Sequence, residues 1–177
     1  MDELIEEVLR LDDLRQAVFR AALAKQVQPI LASSRHYHYA LRAMELCWQW
    51  IDHRDVAGDT LYEAYCNEED WGAAPAMDIA FNRDHDPFMG HAWGCVADSI
   101  AYVAYCAFTA EGAPVPEDAK NDFPYEIMAE FFDHYYAVIG SSDVLELMAD
   151  WLKDTSDDQL TQSVVSTKLE EFVSSVK

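Results

Sequence analysis

The chain has 177 residues, 51% of them apolar, and carries 33 Asp and Glu against 12 Lys and Arg, for a formal charge of −21. That length and apolar share support one domain with a substantial core and exclude general disorder. The charge excludes a phosphate-binding surface of clustered Lys and Arg, so no direct contact with nucleic acid is expected.

Glycine and proline are scarce, at six each, and apolar residues recur every three or four positions. The pattern predicts an all-α, single-domain bundle of about seven to nine helices. The N-terminus reads Met1-Asp2-Glu3-Leu4-Ile5-Glu6-Glu7, without a basic leader and apolar run, so a cytoplasmic protein is expected. A first helix begins at Asp2 and breaks near Leu11 to Asp13. A second runs from Leu14 toward Pro29, with Leu14, Val18, Ala21, Ala22 and Val27 inward. Tyr37, Leu41, Met44, Trp48 and Ile51 form one stripe of a third helix ending near His53, because each step is three or four residues. Gly58-Asp59 restarts the chain, with Asp59 or Thr60 as N-cap of a short helix through Tyr65.

From Ala92 to Ala110 the only charge is Asp98, which makes the segment apolar on nearly all faces and long enough for a membrane span to be considered. Asp84, Asp86 and Glu111 flank it instead of Lys or Arg anchors, so no membrane contact is expected. Residues 88–111 are read as the central helix of the bundle. Pro114 and Pro116 then force a loop, and helices near 125–138, 143–152 and 159–176 complete a single domain over residues 1–177. Cys47, Cys66, Cys95 and Cys106 lie in apolar helical contexts without a CxxC pair and are read as reduced core thiols.

The excess charge is concentrated. Residues 52–86 hold ten acidic and two basic residues, a net of −8, and residues 117–158 hold twelve and two, a net of −10. Such blocks either solvate a surface or steer a basic partner toward it. Candidate partner contacts are Asp55, Asp59, Glu63, Glu68, Glu69, Asp70, Asp84 and Asp86, with Trp71 as an exposed aromatic anchor in its acidic turn. Trp48, Trp50 and Trp93 are read as structural.

Catalytic and metal chemistry are weakly represented. His36 and His38, His85 between two aspartates, and His91 four residues before Cys95 give isolated pairs where zinc needs four converging ligands, so they are read as exposed helix-end histidines. No nucleophile motif or phosphate-cradling glycine loop is present. An enzyme is therefore not expected, nor a cofactor or a metal. Asp98 is informative because a carboxylate in an apolar helix must find donors or be neutralised. The expectation is a structural residue bonded to the Trp48 or Trp50 indole or to a backbone amide. The alternative is a small-molecule or metal site around Asp98 with His91 or Cys95.

Several stretches resemble the all-helical immunity proteins of bacterial polymorphic-toxin systems, specifically the sixth numbered family. They are Leu46-Cys47-Trp48-Gln49-Trp50, Gly58-Asp59 with Leu61-Tyr62, Asn67-Glu68-Glu69, and Trp93-x-Cys95 leading to Asp98, Ala101-Tyr102, Tyr105 and Ala107, then Pro114 and Pro116. The resemblance spans roughly residues 35–120. It implies a non-catalytic protein that binds and neutralises a cognate toxin domain. Toxins acting on nucleic acids often present basic clefts, which an acidic immunity protein can occlude. The matched aromatics sit at core spacing, which leaves the interface to the acidic loops.

Overall fold

A computed structural model describes residues 1–67 and 72–176. The predicted contacts Glu68, Glu69, Asp70 and Trp71 lie outside the described residues. The chain opens with α1 (Asp2–Leu9) and turns into α2 (Asp13–Val27), whose N-cap Asp12 accepts from the Arg15 amide at 2.8 Å. A 3₁₀ turn over Gln28–Ser33 leads to α3 (Tyr37–His53), then α4 (Gly58–Cys66) and α5 (Ala73–Asp78), which runs on as a π turn over Ile79–Arg83. Next come α6 (Pro87–Glu111), α7 (Pro124–Ile139), α8 (Asp143–Asp154) and α9 (Gln162–Ser175). The described residues contain no strand; the fold is all-α.

The composition of α6 explains its place. With Trp93, Cys95, Val96, Ile100, Val103 and Ala107 buried on different sides of it, one neighbour cannot cover the helix, and α2, α3, α4, α5 and α7 all pack around it. No described helix is long and apolar enough to cross a membrane. One continuous hydrophobic core runs from Leu4 to Leu169.

Several local expectations are corrected. Leu41 is exposed, and Ala40, Ala43 and Cys47 share the inner face of α3 with Met44, Trp48 and Ile51. The 3₁₀ turn packs on this helix, and the small alanines permit the close approach. Neither Asp59 nor Thr60 caps α4. Its N-cap is Ala57, and the Gly58 amide instead donates to Glu111 Oε1 at 2.9 Å. This cap comes from the far end of α6. Gly58 is required there, because a Cβ would stand 2.7 Å from the Phe108 ring. α5 was not expected; its Pro75 sits in the first turn, where the missing N–H costs no hydrogen bond. The last helix starts at Gln162 and not Gln159, and its amide is capped by Asp52 Oδ1 of α3 at 2.8 Å. The four cysteines are free; Cys47, Cys95 and Cys106 are buried and Cys66 is half-buried.

Candidate functional site

Asp98, Tyr102 and Tyr105 fall on one stripe of α6 at spacings of four and three, and Ile127 and Glu130 fall likewise on α7. These two stripes, Tyr65 of α4, and the α6–α7 connection carrying Asp118 to Asn121 enclose a cavity of about 210 Å³. A shallower depression shares Tyr65 and Asp118 with it and adds Asp78. The rim is partly fixed: Tyr62 Oη donates to Asp118 Oδ1 at 2.6 Å, and Lys120 Nζ pairs with Glu117.

The expected partners of Asp98 do not form. Its Oδ2 is buried without a hydrogen-bond partner among the described residues, as is the Trp48 indole N–H. The physical reason is that Trp48 and Trp50 are buried on α3, whereas the Asp98 carboxyl lines the cavity between α4, α6 and α7 and keeps 21% exposure. Burial, with repulsion from Glu130, pushes its pKa up to about 7 against the pull of Arg20. The Arg20 guanidinium is itself fully buried, lies 3.8 Å from the centre of the Tyr102 ring, and has no hydrogen-bond partner among the described residues. Asn121 Oδ1, on the cavity wall, is also unpartnered.

Behind Asp98 stands His134, only 8% exposed, with Nε2 at 4.0 Å from Asp98 Oδ2 and 3.9 Å from Glu130 Oε1. Its Nδ1 meets His91 Nδ1 at 2.9 Å. Burial and the neighbouring His91 push the His134 pKa down to about 4, so it is neutral at physiological pH. Gly94 makes room for the ring: a Cβ there would fall 2.5 Å from it. His91 is thus half-buried and paired, correcting its expected exposure, and Cys95 is a buried thiol whose pKa burial raises. Among the described residues no group of three or more His, Cys, Asp or Glu is placed to hold a metal.

The predicted contacts divide between two places. Asp55, Asp59 and Glu63 are exposed at the α3–α4 turn and on α4, where Glu63 borders a depression with Tyr39 and Arg42. Asp84 and Asp86 line a separate depression with Arg35 and His36, where Arg35 Nε donates to His36 Nε2 at 2.8 Å. Asp86 also caps α6, accepting from the Met89 amide at 3.1 Å. His85, between them, is exposed with a φ of 53°. Trp48, Trp50 and Trp93 are buried. Sequence reading did not single out Tyr65, Asn121, Glu130 or His134. The shared stripe of Asp98, Tyr102 and Tyr105 was the available signal.

These features describe a class: an all-helical bundle, acidic over its exposed segments, with a polar cavity let into its side. Within that class, the family model of immunity protein Imm6 matches residues 15–138, well over half of the chain, and the protein belongs to this family. No curated protein and no solved structure matches the chain. The matched span contains every residue of the Asp98 cavity and excludes α8 and α9.

Proposed function

We propose that this is a non-catalytic, cytoplasmic immunity protein that binds and neutralises a cognate toxin domain through an acidic surface complementary to a basic cleft. The family match over residues 15–138 carries the reading. The net charge of −21 and the exposure of Asp55, Asp59, Glu63, Asp84 and Asp86 support its electrostatic part. Charges spread over an exposed rim act at long range, raising the encounter rate more than they slow dissociation. Glu68, Glu69, Asp70 and Trp71 extend the same acidic block along the sequence.

The test uses the cognate toxin domain, to be sought in the reading frame adjacent to this one. Its association rate with the purified protein should fall steeply from low to high salt, and a flat response removes steering. The double variant Asp55→Lys/Glu63→Lys should associate at least about tenfold more slowly at low salt with little change in dissociation. Asp86 is a poor probe, because its reversal also removes the cap of α6.

A further inference from the structure

Resting on the toxin-binding reading, we infer that the cavity over Asp98 receives one arginine side chain of the toxin, gripped by Asp98 and Glu130 and stacked against the tyrosine walls. The first argument is chemical. Asp98, Asp118 and Glu130 present carboxylates to the cavity, and Asn121 presents Oδ1. Its cationic lining group, Lys120, is engaged by Glu117. A wall of acceptors calls for an occupant rich in donors.

The second argument is the set of unmet groups. Asp98 Oδ2 and Asn121 Oδ1 are buried acceptors without a hydrogen-bond partner among the described residues. The His134 ring, more than nine-tenths buried, directs an unpartnered Nε2 at both Asp98 and Glu130. Buried polar atoms left unpaired are costly, and two such acceptors on one cavity wall, with the His134 ring packed behind them outside the lining, mark the place where a donor group belongs.

The third argument is shape. Tyr65, Tyr102 and Tyr105 form the walls; one face of the Tyr102 ring already carries the Arg20 guanidinium, which leaves Tyr65 and Tyr105 to attract a cation within about 6 Å of the ring centre. A guanidinium offers five donors in a flat fork, so it can satisfy acceptors on several sides while stacking, which an ammonium cannot. At about 210 Å³ the space is smaller than the roughly 300–1,000 Å³ of drug-sized ligand sites and suits a single side chain.

The experiment compares wild type with Asp98→Asn and Glu130→Gln, the latter on a largely exposed side chain that does not threaten the fold. Asp98→Asn should bind the toxin domain at least about tenfold more weakly, through faster dissociation, as expected when one partner of a desolvated charge pair is removed, and Glu130→Gln, at the exposed rim, should weaken binding less and mainly by slowing association. In parallel, N-acetyl-arginine amide should give saturable shifts of the Tyr65, Tyr102 and Tyr105 ring resonances. N-acetyl-citrulline amide, its neutral isostere, should not. Toxin binding that is undiminished in both variants overturns the inference and leaves the toxin-binding reading standing. If wild type does not bind the toxin, that reading falls, and the titration decides the cavity. No arginine-selective shift then overturns the site itself, and a selective shift overturns only its assignment to a toxin side chain.

Discussion

Two titratable residues on facing helices, the half-buried Asp98 and the buried His134, respond to pH in opposite directions. Folding raises the Asp98 pKa from an ordinary value near 4 to about 7, so its stabilising neutral form is fully present below about pH 4 and is lost as pH rises through 7. Folding lowers the His134 pKa from about 6.5 to about 4, so its contribution is present above about pH 6.5 and is lost as pH falls through 4. Asp98→Asn removes only the first effect. Measured against wild type in thermal melts, this variant should gain relative stability between about pH 4 and 7. The gain should be roughly 2–4 kcal/mol, at about 1.4 kcal/mol per unit of pKa separation. A difference that does not change with pH would mean that the Asp98 carboxyl is as well solvated in the folded chain as in the unfolded one.

Two helices that lack a capping side chain of their own, α4 and α9, borrow one from elsewhere. Glu111 of α6 serves α4, and Asp52 of α3 serves α9. Glu111→Ala should therefore cost roughly 0.5–2 kcal/mol, the usual cost of a lost N-cap, although Glu111 lies 53 residues from the amide it holds. Chemical denaturation of the single variant measures this, and an unchanged midpoint would show that water replaces the carboxylate. Such long-range caps also show where sequence reading stops. Local periodicity located the central helix within one residue of its observed start, because burial on nearly all faces leaves an unmistakable apolar run. It missed α5, whose six residues are too few to show a repeating apolar stripe. It identified Asp98 as exceptional but assigned it the wrong neighbours, because the approach of α4, α7 and the α6–α7 connection is a tertiary fact that spacing along one helix does not encode. The Asp98, Tyr102 and Tyr105 stripe was legible; what faces it was not.

At the scale of the molecule, the C-terminal part beyond the family match, α8 and α9, is fastened onto the helices that precede it. α8 buries Val144, Leu145, Met148, Ala149 and Leu152 and packs on α1 and α2. Arg15, near the start of α2, donates to the carbonyls of Leu152 at 3.1 Å and Thr155 at 2.6 Å and pairs with Asp157 at 2.9 Å. Lys25 adds a bond to Ser166 at 2.9 Å. Between the two parts lies a short turn at 140–142, where Gly140 adopts a φ of 77° and makes no close side-chain approach. The covalent link at this turn is therefore dispensable to the packing around it. A chain nicked between Gly140 and Ser142 should run as one species on a sizing column and come apart only in denaturant. Fragments 1–140 and 141–177, produced separately, should find each other in solution and restore the helical content and melting behaviour of a single folded body. The cost of the cut is then entropic: two pieces must meet where one chain had only to close, so the melting temperature of the pair should rise with concentration while that of the intact chain does not.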